Sequence, residues 1–159
     1  MGVPGRLNGR YFYYAVAKNA LSPLSDAFDY AYFHSLNSDK SLKMSAKGFL
    51  ATEQRISGLG NGVLQDILLN ARIHPRKKRT ALRMINALGY FVLLKSTLAE
   101  MVAGGGRDTE RDLFGNQGRY RTKLSKNNRA FICPDCGGKV KKEAYIGGSV
   151  YFCDSCQEK

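Results

Sequence analysis

The placement of its cysteines constrains this chain more than any other feature. All four lie beyond residue 130, as Cys133-Pro134-Asp135-Cys136 and Cys153-Asp154-Ser155-Cys156, a C-x2-C-x16-C-x2-C spacing. That spacing falls within the range of four-thiolate zinc sites, in which each knuckle supplies two thiolates from one tight turn. Between the pairs, Lys139–Ala144 and Ser149–Phe152 read as two short strands joined by Tyr145-Ile146-Gly147-Gly148. Residues 131–157 hold little apolar material of their own, so the metal is expected to supply most of their folding energy. Four protein ligands leave no open position for water, which makes one zinc per chain structural rather than catalytic. Two other readings exist, free thiols and a redox switch built on the two C-x-x-C pairs. Metal analysis under reducing conditions separates them from zinc. With no cysteine before residue 130, no disulfide can staple the rest, as expected of a protein from a reducing compartment.

Charge comes next. Lys and Arg number 25 against 13 Asp and Glu, a net charge of +12. A surplus this large in 159 residues points to a polyanionic partner, nucleic acid first. The densest run is Arg76-Lys77-Lys78-Arg79. Membrane and export classes are excluded: the apolar stretch around Ala87–Leu94 is too short to span a bilayer, and the N-terminus lacks the apolar core of a secretion signal.

Along the chain, residues 1–10 are glycine-rich and basic. Tyr11–Val16 is aromatic and β-branched and reads as a strand, with no second strand-like run before residue 139. A lone strand cannot satisfy its own hydrogen-bonding groups, so residues 1–20 read as a linker or as the remnant of an upstream domain. From Pro23 the pattern turns helical, with Ser25 as N-cap, Asp26 in the first turn, and Phe28, Ala31 and Tyr32 at helical spacing. A polar loop, Asn37–Lys43, precedes a short helix over Ser45–Glu53. Gly58-Leu59-Gly60-Asn61-Gly62 is a tight turn, and Asn61 can cap a helix carrying Val63, Leu64, Ile67, Leu68 and Ala71. That helix must end before His74-Pro75. A longer one, from Thr80–Arg83 to Val102, places Met84, Ile85, Leu88, Val92 and Leu98 inward until Gly104-Gly105-Gly106 stops it. Residues 107–130 are polar, basic and irregular. The expected architecture is mainly α: a helical unit over 21–106, a basic connection over 107–130, a zinc-bound β-hairpin over 131–159, and one orphan N-terminal strand.

Two constellations suit a phosphate backbone. Glycines at 58, 60 and 62 allow close approach, unpaired N–H groups at a helix start attract an anion, and Asn61 is the natural side chain to complete such a site. An ordinary glycine-rich connection is the competing reading. Arg76, Lys77 and Lys78 lie one helix away, and Arg119, Arg121 and Lys126 interleave with Tyr120 before the hairpin. A solvated basic loop is the alternative for the first group, and Tyr120 can equally be core. His34 and His74 are far from the cysteines and read as structural.

Taken together, these segments resemble the formamidopyrimidine-DNA glycosylase and endonuclease VIII family. The resemblance is carried by Pro23-Leu24-Ser25-Asp26, by Gly58-Leu59-Gly60-Asn61 closing a helix–two-turn–helix, by Ala71-Arg72-Ile73-His74-Pro75, and by Cys133, Cys136, Gly137-Gly138, the hairpin, Cys153, Cys156 and Gln157. It runs over about residues 11–157. It implies a base-excision-repair enzyme that removes damaged bases and nicks the backbone, with Asn61 gripping a phosphate beside the lesion. Aligned on the cysteines, the arginine that the family presents from its hairpin turn falls at Gly148. The segment 105–114 resembles the loop that caps an extruded oxidised purine in some members, although the connection from Arg111-Asp112 to Gly118 is short for such a cap. The family's nucleophile is a terminal proline amine followed by a catalytic Glu. Here Pro4 is bonded through its nitrogen to Val3, and the first acidic residue is Asp26.

The resemblance therefore implies the DNA-binding C-terminal half of such an enzyme, without catalytic residues of its own. Its partners would be damaged duplex DNA and an upstream catalytic domain, in the cytoplasm at the bacterial nucleoid. A free-standing zinc-containing nucleic-acid-binding module without activity is the alternative.

Overall fold

A computed structural model describes residues 15–16, 18–81, 87–128 and 130–159. From residue 30 onward three short helices come first: α1 (Tyr30–Ser35), α2 (Asp39–Leu42) and α3 (Ala46–Ala51). Two longer ones follow, α4 (Asn61–Asn70) and α5 (Ala87–Ala103), and then the strands β1 (Val140–Ala144) and β2 (Ser149–Cys153). The strands form one antiparallel hairpin with Val140 opposite Cys153 and Ala144 opposite Ser149. Among the described residues the chain is thus mostly helical with one two-stranded hairpin. Among the described residues, no helix is long and apolar enough to cross a membrane.

Side-chain caps explain where the short helices start. Asp29 accepts from the Tyr32 amide at 2.7 Å and so opens α1. The expected cap, Ser25, instead donates its hydroxyl to the Ser22 carbonyl at 2.8 Å, so the helix begins at Tyr30 rather than after Pro23. Ser38 and Ser41 form a reciprocal capping box that turns part of the expected loop 37–43 into α2. Ser45 accepts from Gly48 and opens α3 as expected. Between α3 and α4 the backbone passes through left-handed conformations at Glu53, Gln54 and Gly58, and at Gly58 the missing side chain makes that conformation free of strain. The N-cap of α4 is Gly60, and Asn61 is its first helical residue rather than the cap. At the other end Arg72 is left-handed and the Ile73 amide reaches back to the Leu68 carbonyl at 2.9 Å, closing the helix before His74-Pro75.

The main core lies where α1, α3, α4 and α5 meet. Phe28, Phe33, Phe49 and Phe91 form a buried aromatic cluster, with Phe33 edge-on to Phe49. Leu64, Ile67 and Leu68 of α4 and Leu94 of α5 complete it. The inward face of α5 is Tyr90, Phe91, Leu94, Thr97 and Met101. Leu88 and Val92, expected to point inward, are exposed, whereas Leu98 packs against the core. This helix is apolar on nearly every side over 87–94, so spacing alone does not select a face, and the two large rings at 90 and 91 do. Met84 and Ile85 lie outside the described residues, as do Tyr11–Tyr14 of the expected strand. Ala15 and Val16, the described part of that strand, are helical instead.

A second, smaller core joins the hairpin to the helices. Leu69 of α4 packs with Leu124, Cys133, Val140, Tyr151 and Cys153. The hairpin therefore has more apolar support than its own sequence suggests, because α4 lends it a face. Hydrogen bonds reinforce the contact: Gln65 accepts from the Tyr151 amide, and the buried Gln157 side chain accepts from Cys153 N at 2.8 Å while donating to the Ile73 carbonyl at 2.9 Å.

Candidate metal centre and nucleic-acid interface

The two knuckles and the hairpin bring all four cysteines into one cluster, with every Sγ within 4.8 Å of the others. Cys133 and Cys156 are 3.8 Å apart, and Cys136 and Cys153 are 3.6 Å apart. A tetrahedral ion with metal–sulfur bonds of about 2.3 Å places its sulfurs about 3.8 Å from one another. A disulfide requires about 2.05 Å. The cluster fits one tetrathiolate ion and does not fit a pair of disulfides. The Gly138 amide, 3.3 Å from Cys136 Sγ, brings that thiol down to about 7, while burial pushes Cys156 up to about 12. Four thiolates at this spacing coexist only with a cation among them to offset their repulsion. All four positions would be filled by protein, so the ion's chemistry here is structural. Asp135, inside the first knuckle, meets Lys123 at 3.1 Å and Arg72 at 3.6 Å and ties the knuckle to the end of α4.

The glycine turn and the hairpin turn meet at Asn61. Its Nδ2 donates to the Ser149 carbonyl at 2.8 Å. A side-chain amide carries two N–H hydrogens, so this bond leaves one over. Its Oδ1 is buried without a partner. A β-carbon added at Gly148 would lie 3.0 Å from Asn61 Nδ2, so this position of the hairpin turn sits directly against the amide. The first turn of α4 has no side-chain cap, unlike α1, α2 and α3. The amides of Asn61 and Gly62, ahead of the first bond from Val63 N to the Gly60 carbonyl at 3.1 Å, lie at the positive end of the helix dipole, where an anion is favoured. Gly58 and Gly60 are exposed at the entry to the turn.

The basic residues divide by role. Lys78 and Lys126 are exposed and Lys77 is half-buried. Lys126 lines the same cleft as Asn61. Arg119 and Arg121 are exposed on either side of Tyr120, whose hydroxyl donates to Asp66 at 3.0 Å and so anchors the segment. Arg76 is exposed but engaged, paired with Glu143 at 3.0 Å and stacked 3.9 Å from the Tyr145 ring. Arg79 is buried, 3.5 Å from the Phe49 ring and hydrogen-bonded to Asn37, so it belongs to the core rather than to a solvated loop. His34 is exposed, and the buried His74 packs edge-on to Phe152.

Three residues essential to this arrangement escape sequence reasoning. The buried Lys47 ammonium donates to the Tyr145 carbonyl and holds the hairpin turn against α3. Burial and the nearby Arg76 lower its pKa. Asp66, 1% exposed, accepts from the amides of Lys123 and Leu124, each at 2.9 Å, besides Tyr120. Burial raises its pKa against those bonds. Arg107 packs over Gly62 and pairs with Glu110. A signal existed for the first two: a lysine within Ala46–Leu50 and a Gln-Asp pair inside the apolar stripe of α4 are polar groups on buried faces, which require partners.

No family model matches the chain. Among curated proteins it is similar to the formamidopyrimidine-DNA glycosylase of Geotalea uraniireducens, 30% identical over 147 residues, 89% of this chain and 53% of that protein. The formamidopyrimidine-DNA glycosylase of Thermus thermophilus is 30% identical over 143 residues, 85% of this chain and 52% of its own length. Among solved structures, the MutM (Fpg) protein of Thermus thermophilus superposes with a TM-score of 0.75 at 28% identity, covering 87% of this chain and 53% of that one. A MutM in complex with DNA containing carbocyclic 8-oxo-G gives 0.74 at 25% identity, over 92% and 54%. The chain spans about half the length of the curated relatives it matches.

Proposed function

As a homologue of the C-terminal half of the formamidopyrimidine-DNA glycosylases, this chain, we propose, is the DNA-gripping part of a base-excision-repair glycosylase. Its active site would lie on a catalytic domain upstream. In this reading residues 21–106 form a helix–two-turn–helix unit, 107–130 a basic connection, and 131–159 a hairpin closed by one zinc on Cys133, Cys136, Cys153 and Cys156. Residues 1–20 belong to the link with the catalytic domain. The observation that carries the reading is the convergence at Asn61. A side-chain amide with a free hydrogen, an uncapped helix start and a hairpin turn meet at one point of a strongly basic chain.

A phosphate at that point accepts from Asn61 and from the amides beside it, while Gly58 and Gly60 let the DNA backbone come close. Arg76, Lys77, Lys78, Arg119, Arg121 and Lys126 add charge along the flanks. Such a grip reads no sequence, and affinity should fall by roughly 0.9 log unit per log unit of salt for each phosphate contact. Asn61→Ala removes a hydrogen bond to a charged acceptor, worth roughly 1.5–3 kcal/mol, and is expected to weaken duplex binding about tenfold or more. Neutralising Lys77 and Lys78 together should mainly flatten the salt dependence, by about one log unit per lysine. Fluorescence anisotropy on an unmodified duplex over a salt series measures both. If Asn61→Ala binds like the wild type while the lysine variant does not, the turn is a structural connection and the grip reading fails.

Catalysis is expected to need residues beyond these 159. Within them Pro4 has no free amine and no Glu beside it. Incubation of the chain with abasic-site DNA and borohydride should trap no covalent adduct, because no secondary amine is exposed to form the Schiff base. An adduct formed at stoichiometric protein would place a nucleophile elsewhere in the chain.

A further inference from the structure

We propose that Arg107 supplies the guanidinium of the phosphate site, in place of an arginine from the hairpin turn, and that Glu110 occupies it until DNA arrives. The inference rests on the grip reading above and goes beyond it in naming the cation.

The backbone around Arg107 is held in place from both sides. Gly105 and Gly106, both at positive φ, end α5 and turn the chain back towards α4. Arg107 then pairs with Tyr120 in an isolated bridge, framed by Tyr120 N to the Gly106 carbonyl at 3.0 Å and Asp108 N to the Tyr120 carbonyl at 2.8 Å. Tyr120 is itself tied to Asp66 of α4. This geometry lays the guanidinium over Gly62 in the first turn of α4. A β-carbon at 62 would collide with Nη1 and lie 3.0 Å from Nη2 and 3.1 Å from Cζ. The third glycine of the turn thus has a specific use, which is to leave a seat for Arg107.

The seat opens onto a cleft of about 200 Å³ lined by Asn61, Gly62, Arg107, Thr109, Lys126 and Ser149 among others. Residues lining this cleft hold three buried polar atoms without a hydrogen-bond partner: Arg107 Nε, Thr109 Oγ1 and Asn61 Oδ1. The anion paired with Arg107 is Glu110, whose side chain is 57% exposed while that of Arg107 is 12% exposed. A guanidinium presents five donors in a planar fork that matches a phosphate as well as a carboxylate. An exposed carboxylate three residues away is a replaceable partner. The hairpin turn beside Asn61, Tyr145-Ile146-Gly147-Gly148, carries no basic side chain, and the β-position of Gly148 abuts Asn61 Nδ2.

The test is anisotropy on an unmodified duplex across a salt series, using the full chain and the variants Arg107→Gln, Glu110→Gln, their double variant and Asn61→Ala. Arg107→Gln is expected to weaken binding about tenfold and to reduce the salt slope by about 0.9. Glu110→Gln should tighten binding several-fold, and that gain should vanish in the Arg107→Gln background. If Arg107→Gln matches the wild type in affinity and slope while Asn61→Ala weakens binding, Arg107 merely props the loop. The inference then fails and the grip reading survives. A Glu110→Gln gain that persists without Arg107 is a general charge effect and overturns the competition. A wild-type chain that does not bind duplex overturns the grip reading and the inference with it. If Arg107→Gln lowers the melting temperature, Arg107→Lys decides: an unchanged slope with affinity down several-fold supports the fork, and unchanged affinity overturns it.

Discussion

Replacing Cys153 by serine is expected to abolish metal binding and release the hairpin while leaving the helical core folded. Cys153 is fully buried at the end of β2, opposite Val140, and each remaining thiol sits in the same cluster. A structural zinc of this type contributes about 10–16 kcal/mol of apparent binding energy, which is also the folding energy of the segment it closes. What remains is the apolar contact with Leu69 and Leu124, the packing of Phe152 on His74, and a set of polar contacts from Gln65, Lys47 and Arg76, far less than the metal supplies. The core of α1, α3, α4 and α5 contains no residue from 131–157, so it should persist. Elemental analysis should fall from one zinc per chain to none, the helical circular dichroism signal should survive, and duplex affinity should drop because Ser149 no longer orients Asn61. A serine variant with its full metal complement would contradict the four-ligand assignment. Joint melting of the helices would show that the second core is shared more deeply than its contacts indicate.

A second large effect is expected at Asp66. Its carboxylate gathers the amides of Lys123 and Leu124 and the Tyr120 hydroxyl at a site 1% exposed. Asp66→Ala leaves these donors facing a small void. Each buried unsatisfied donor costs roughly 1–3 kcal/mol, so a loss of about 3–5 kcal/mol is expected, a large fraction of the stability of a domain of this size. The damage should concentrate in residues 107–128, which have no regular secondary structure and depend on this anchor. Limited proteolysis should cut the variant there first, at a protease dose that spares the wild type. Cleavage distributed evenly along the chain would mean that Asp66 supports α4 rather than the connection.

The features legible from sequence were those whose partners are near in sequence or whose chemistry fixes a spacing. The cysteine pairs, the hairpin between them, the glycine turn and the helix stripe from Val63 to Ala71 all belong to this class. The caps of α1 and α4 are Asp29 and Gly60 rather than Ser25 and Asn61, because several residues of capping type stand near each helix start and local sequence does not rank them. Spacing does not select the inward face of α5, because both faces are apolar. Least legible were Lys47, Gln65, Asp66 and Arg107. Lys47 bonds a residue 98 positions away, and Gln65 one 86 away. A polar residue in an apolar stripe announces that a partner exists without saying where.

The span of those bonds has a consequence for biosynthesis. Asn61 leaves the ribosome almost ninety residues before Ser149, the acceptor that orients it. Lys47 waits longer still for Tyr145, and Gln157, 84 residues after Ile73, closes the contact with its carbonyl. The helical core can form on the nascent chain from contacts already synthesised. The hairpin cannot dock until the final knuckle emerges and captures its ion. Translation that stops before Cys153 would therefore release a folded helical body in which the side-chain amide of Asn61 lacks the hairpin that orients it and the proposed phosphate seat is not assembled. On the proposed reading, competence to hold DNA at Asn61 comes only with residues 149–157, so a product cut short before them lacks the grip even though it already carries the residue at its centre.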